Sequence, residues 1–198
     1  ACAQLPAKVD SGKREGSAEQ AEISQSDLPK QELTAPMLFD YLLAEVALQR
    51  GYPEIALKNY LKLTETAQDQ RFAQRATEIA LHLREPFAAE KAVSLWTELD
   101  PGSVNAHQAA AALLVNMGRL DEARPHLEIL LASDESAVDD AFIQLNKLLA
   151  AHPDKVASLR LVQQLAEPYP DLPEAHFAVS QAAWLAENLE IALTEMKQ

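Results

Sequence analysis

The chain has 198 residues, 48% of them hydrophobic, and its 17 basic and 30 acidic side chains give a net charge of −13. This acidity argues against nucleic-acid binding, which needs a basic face to neutralise phosphates. None of the five glycines has the spacing of a phosphate-binding loop, and the single cysteine, Cys2, excludes an internal disulfide and a cysteine-built zinc site. No apolar run approaches the roughly 20 residues of a membrane-spanning helix. We expect a non-catalytic protein without cofactor or metal ion.

The first segment, residues 1–33, contains no Phe, Trp or Tyr and is rich in polar residues. Such a composition buries too little apolar surface to offset the entropy of ordering, so it predicts a flexible tether ahead of a folded body over residues 34–198. Ala1-Cys2 resembles the end of a bacterial lipobox, after which the cysteine carries lipid, and Ala3 then favours the outer membrane. A free thiol at Cys2 is the alternative.

From Thr34 onward, apolar residues return every three or four positions, which is typical of amphipathic helices, and no sustained alternation indicates a strand. A small residue opens each predicted second helix at intervals of 33, 34, 35 and 34: Ala56, Ala89, Ala123, Ser158 and Ala192. Large apolar residues, among them Tyr60 and Leu63, follow in the same order. The pattern predicts an all-α body in which a pair of helices repeats five times.

This register resembles the tetratricopeptide repeat (TPR), a helix pair of about 34 residues. The resemblance covers residues 35–198 and implies an all-α, TPR-type solenoid of about five helical hairpins. The fifth hairpin is incomplete at Gln198, so we expect a fragment of a longer array or an end that a partner covers. Departures from the pattern are Gln68 and Glu135, which replace closing prolines, and a fourth copy with Ser158 in place of alanine and no turn glycine.

By this resemblance, the first helices of the pairs line a concave groove that holds peptides or partner helices. The matching positions give twelve candidate partner-binding residues: Tyr41, Glu45, Leu48, Gln74, Glu78, His82, Gln108, Asn116, Lys147, Phe177, Gln181 and Trp184. Phe177 and Trp184 are predicted either as exposed aromatic anchors or as contacts to further repeats. Tyr41, Glu45, Gln108 and Ala112 replace the Lys/Asn/Arg clamp by which some TPR domains grip a C-terminal carboxylate, so binding to chaperone C-termini is disfavoured. We expect an acidic, apolar groove that suits a partner with basic and hydrophobic features.

The segments Tyr41–Gly51 and Gln74–Ala80 resemble bacterial outer-membrane TPR lipoproteins that recruit a carboxyl-terminal processing protease. The resemblance implies a periplasmic adaptor that is anchored to the outer membrane only through lipid on Cys2. Its implied partners are such a protease and the hydrolases of peptidoglycan cross-links that the protease degrades. Two alternatives stay open: a pilus or secretin assembly lipoprotein, and a TPR module that positions a substrate within a larger enzyme.

Overall fold

The computed structural model describes residues 33–133 and 138–197, which form helices joined by short turns and contain no strand. Ten helices lie within these ranges: α1 (Ala35–Gln49), α2 (Pro53–Ala67), α3 (Gln70–Leu83), α4 (Pro86–Leu99), α5 (Val104–Asn116), α6 (Leu120–Ala132), α7 (Val138–Ala150), α8 (Lys155–Ala166), α9 (Pro173–Leu185) and α10 (Leu189–Glu195). The all-α repeat fold predicted from the sequence is confirmed.

The starts of the helices follow local chemistry. Thr34, Asp69 and Ser103 precede the first helices of the first three pairs, and each side chain accepts a hydrogen bond from a free backbone N–H of the first turn. The second helices of the first two pairs begin at Pro53 and Pro86, where a missing N–H costs nothing. The starts of these five helices are therefore encoded by the residues at their boundaries.

Four of the five pairs fold back through the same turn. A residue one or two positions after the first helix adopts a left-handed conformation, with φ of 76° at Gly51, 57° at Arg84, 76° at Gly118 and 60° at Glu187. In each case the next N–H reaches back five residues to a helix carbonyl at 2.8–3.0 Å, as Tyr52 does to Ala47. This is the Schellman motif, in which a left-handed residue lets the chain reverse direction.

The small residues predicted at the closest approach within each pair are buried. Ala56, Ala89, Ala123, Ser158 and Ala192 are all at most 5% exposed. Between the pairs lie the larger side chains, and Leu63, Phe142 and Leu165 are among the most completely buried. Leu43, the first-helix residue that matches buried Ala76 and Leu145, is 38% exposed because no described helix packs on that side of α1.

The fourth pair departs from the repeat. α7 packs mainly on α9, and α8 packs on α6 and α9, while α7 and α8 hardly touch. No left-handed residue occurs in the turn between them, so the chain does not reverse as it does elsewhere. Instead, Lys155 Nζ donates hydrogen bonds to the carbonyls of Ala150 and His152 at 2.7 and 2.6 Å, and His152 Nδ1 donates to the Asp154 carbonyl at 3.1 Å. The fourth copy, which was predicted to depart from the repeat, therefore does not form a closed hairpin of two packed helices.

Candidate partner-binding groove

The predicted groove positions lie on the solvent side of the first helices. Ten of the twelve are exposed, and Glu45 and Leu48 are half-buried. Leu48, His82 and Asn116 lie near the C-terminal ends of α1, α3 and α5 and line neither of the two cavities described below. The structure gathers most of the remaining positions into three surfaces, which differ in shape and charge.

The first surface is a cavity of about 630 Å³ enclosed by α1, α2 and α3, called here the α1–α3 cavity. Three aromatic rings, those of Tyr41, Tyr60 and Phe72, lie on its wall, with pairwise centroid distances of 6.1–6.4 Å. Met37 and Leu38 add apolar surface. Each helix contributes one ring, so the wall exists only when the first pair packs against the second.

A polar network borders this cavity. The hydroxyl of Tyr60 donates a hydrogen bond to the Glu45 carboxylate. Burial and the neighbouring Glu45 carboxylate both raise the pKa of Tyr60, so the phenol stays neutral and keeps its donor. On the α3 side, Arg75 pairs with Glu78 at 2.8 Å and Arg71 with Asp69 at 2.6 Å. This end of the groove therefore carries both signs of charge, and the predicted acidic character does not extend to it.

The second surface is a cavity of about 570 Å³ between α5, α6 and α7, called here the α5–α7 cavity. Most of its lining is apolar, including Val104, Leu130 and Leu148. The predicted residues Gln108 and Lys147 stand on opposite sides of it, on α5 and α7. α7, which hardly touches α8, forms one wall of this cavity, and no pattern in the sequence predicted the cavity.

The third surface is the solvent side of α9, called here the α9 face. It carries the predicted residues Phe177, Gln181 and Trp184, all exposed. The two aromatic side chains are 51% and 66% exposed, which is unusual for residues of this size. Exposed aromatic side chains of this kind commonly mark protein-binding surfaces.

Sequence reasoning missed Arg71, Phe72 and Arg75, which line the α1–α3 cavity beside the predicted residues. They lie on the side of α3 that faces α1 and α2. The positions predicted on this helix by the TPR resemblance were Gln74, Glu78 and His82. The aromatic residue at Phe72, early in a first helix, was a signal that pointed to this wall. The missed residues add the cations that change the charge of the site.

Two histidines outside the groove tie helices together in matching ways. Nε2 of His107 donates to the carbonyl of Pro101 at 3.0 Å, and Nε2 of His176 donates to the carbonyl of Pro170 at 2.9 Å. The other ring nitrogen of His107 contacts Nδ1 of His126 at 2.7 Å.

In the fifth pair, His176 Nδ1 instead contacts the Glu195 carboxylate at 2.7 Å. The hydrogen bonds to Glu195 and to the Pro170 carbonyl raise the pKa of His176, whereas burial and the His107 ring lower the pKa of His126. The pKa shifts of His126 and His176 thus have opposite signs.

No group of three or more His, Cys, Asp or Glu side chains in residues 33–133 and 138–197 is arranged to hold a metal ion. Over the same ranges, every helix is too short or too polar to cross a bilayer. The predicted lipid-attachment residue Cys2 lies outside the described residues.

Known proteins share this repeat architecture. No protein-family model matches the chain. A TPR repeat-containing protein of Pseudomonas aeruginosa is 31% identical over 137 residues, a match that spans 68% of this chain and 22% of the relative's length. The helical body is a TPR array. TPR proteins generally act as protein-interaction scaffolds, so the exposed first-helix surfaces are the part of this array to consider for partner binding.

Solved structures agree on the fold. A crystal structure of the MamA protein superposes with a TM-score of 0.53 at 13% identity, covering 81% of this chain and 88% of its own. MamA residues 41-end from Desulfovibrio magneticus RS-1 superpose with a TM-score of 0.52 at 16% identity, covering 84% and 94%. A tetratricopeptide repeat protein from Parabacteroides merdae gives a TM-score of 0.51 at 14% identity, covering 81% and 63%. At these identities, the likeness concerns the fold alone.

Proposed function

We propose that this TPR array is a non-catalytic adaptor that docks a partner protein on the solvent side of its first helices. The observation that carries the proposal is the α1–α3 cavity, where Tyr41 and Glu45 from the predicted groove meet Tyr60 and Phe72 in one concave wall. A cavity of about 630 Å³ with aromatic walls and a few fixed polar groups accommodates one or two large side chains of a partner.

The finer role we propose is that of a periplasmic lipoprotein, attached to the outer membrane through lipid on Cys2. In this role it recruits a carboxyl-terminal processing protease, its peptidoglycan-hydrolase substrates, or both. The support is the sequence resemblance given above and the Ala1-Cys2 pair. An adaptor of this kind catalyses no reaction itself. By holding the protease and its substrate on one array, it raises the effective concentration of each for the other.

A capture experiment tests the proposal. The full-length tagged protein is incubated with the envelope fraction of the source bacterium, and bound proteins are identified by mass spectrometry. A protease recovered together with cell-wall hydrolases supports the adaptor role. Pilus or secretin subunits move the role to machine assembly and contradict the protease assignment. Labelling with radioactive palmitate, lost in Cys2→Ala, tests the lipid anchor separately.

Two tyrosine variants link any captured partner to the cavity. Tyr41→Ala removes one ring from the wall, whereas Tyr52→Ala removes an exposed ring at the α1–α2 turn outside the cavity. We expect the first to reduce recovery of the partner by about tenfold, as for an interface anchor, and the second to leave it unchanged. Equal recovery with both variants contradicts docking in the α1–α3 cavity.

The match to the Pseudomonas relative gives a reason to consider one alternative function, that of a module within a larger protein. It spans only 22% of that protein, so the array is compared there with part of a much longer chain. In the alternative, the array is a module that positions a substrate for a catalytic domain elsewhere in a larger enzyme. The coding sequence of the complete gene separates the two, because a catalytic domain supports the module and further repeats support the adaptor.

A further inference from the structure

The α9 face has a regular stripe of side chains. Glu174, Phe177, Gln181 and Trp184 follow one another at intervals of three or four residues and therefore lie along one side of the helix. Glu187 comes directly beyond the stripe, where its backbone N–H donates to the Trp184 carbonyl at 3.1 Å. Two exposed aromatic side chains thus stand between carboxylates at both ends of the helix.

The charge of this region is of one sign. Residues 161–196 contain six carboxylates and no Lys or Arg, and all of them lie within the described part of the chain. Among the described residues, the only ion pair formed by these carboxylates joins Glu195 to His176. The α1–α3 cavity differs, because Arg71 and Arg75 line it. Negative potential and exposed aromatic surface therefore coincide at α9 alone among the three surfaces.

The repeat shows that the Phe177 position stays open when another pair follows. The residues that match Phe177 in the earlier pairs are Tyr41, Gln74, Gln108 and Ile143, and each is exposed although a further pair is packed behind it. The Trp184 position varies among the pairs: Leu81 is 46% exposed, Leu48 is half-buried and Val115 is only 3% exposed. The exposure of Phe177 is thus a property of its position within the repeat.

We propose that the α9 face binds a basic amphipathic segment of a partner protein. Aliphatic side chains of that segment pack on Phe177, while its Lys or Arg side chains meet the ring of Trp184 and the carboxylates of Glu174 and Glu187. A cation over an indole ring is attracted by the π-electrons, and the surrounding carboxylates steer a positively charged partner to the face. The inference rests on the proposed scaffold function and specifies the chemistry of one partner site.

Designed peptides of about 14 residues test this chemistry with the full 198-residue chain by fluorescence anisotropy. A labelled Lys/Leu amphipathic peptide is the main probe. A Glu/Leu peptide of the same pattern inverts its charge, and a Lys/Ser peptide removes its apolar side. We expect binding of the Lys/Leu peptide alone, weakening as the salt concentration rises from about 50 to about 300 mM. Equal binding of the Glu/Leu peptide, or of the Lys/Ser peptide, overturns the proposal.

Variants locate the binding. Trp184→Ala and Phe177→Ala should each weaken binding of the Lys/Leu peptide by about tenfold, and the pair Glu174→Gln with Glu187→Gln should reduce its salt dependence. Leu81→Ala, at the position that matches Trp184, serves as the control and should leave binding unchanged. Circular dichroism checks that each variant is folded, which the exposure of these side chains favours. Affinity that is insensitive to Trp184→Ala overturns the proposal.

Sedimentation equilibrium distinguishes a second copy of the chain as the occupant. A dimer that Trp184→Ala converts to monomer means that another copy covers the α9 face, and this overturns the proposal. Failure of the peptide assay is also distinguishable from failure of the proposed function. If partner capture persists and depends on Tyr41, the scaffold function stands and only the α9 inference fails, whereas an empty capture removes both.

Discussion

Replacing Phe142 with alanine should strongly destabilise the C-terminal half of the array. Phe142 lies on α7 with no exposed surface, and its ring packs edge-on against Tyr169 at a centroid distance of 5.5 Å and an angle of 84°. A buried Phe side chain of about 150 Å² is worth about 4 kcal/mol at roughly 25 cal/mol per Å². Core Phe→Ala substitutions cost about 3–5 kcal/mol, so the two estimates agree.

The measurement is urea unfolding followed by circular dichroism and by tryptophan fluorescence, because a repeat array can unfold in more than one step. Both tryptophans contribute to the fluorescence: Trp96 is buried on α4, whereas Trp184 is exposed on α9, against which α7 packs. The matched control is Ile143→Ala, since Ile143 is the next residue of α7 and is 41% exposed. A loss of unfolding free energy no larger for Phe142→Ala than for Ile143→Ala would refute the reasoning.

Tyr169→Leu extends the test to the aromatic pair. If the edge-on geometry contributes beyond burial, the double-mutant cycle with Phe142→Leu should give a coupling free energy of about 0.5–1.5 kcal/mol. Strict additivity would assign the whole effect of Phe142 to its burial. The cycle uses leucine at both sites so that neither variant leaves a large void.

Three further predictions concern turns, pH and the groove. Gly118→Ala should lower the free energy of unfolding by about 1 kcal/mol, and Arg84→Gly should raise it by about the same, because both residues have positive φ; calorimetric melting checks the signs. His176→Gln should cost more stability at pH 5.5 than at pH 8, because the raised pKa of His176 adds stability below about pH 6.5 that is lost as the pH rises through the folded value. The lowered pKa of His126 makes the folded state lose stability as the pH falls through about 6.5, so His126→Gln should lose less stability on acidification than the unmodified protein. Equal pH dependence of stability in the His176→Gln and His126→Gln variants would contradict the opposite pKa shifts. Tyr60→Phe, which removes the donor to Glu45, should leave the array folded but weaken partner capture at the α1–α3 cavity, and unchanged capture would exclude a role for this hydrogen bond.

The sequence by itself determined the helices, their order and their period. Caps such as Thr34 and Ser103, and turn glycines such as Gly51, act on the backbone within a few residues, so their effect is readable without tertiary contacts. The alanines at the closest approach, among them Ala56 and Ala123, recur with the repeat and were readable for the same reason. For Phe177 and Trp184 the register left two possibilities open, exposed anchors or contacts to further repeats, and in the described structure both side chains are exposed.

Only the tertiary structure decided which side chains of different helices meet. The wall formed by Tyr41, Tyr60 and Phe72 joins three helices, and its geometry depends on how one pair leans on the next. The α5–α7 cavity lies beside α7, which packs on α9 and hardly touches α8. Packing angles between helices arise from many side chains at once, and no local pattern in the sequence records their sum.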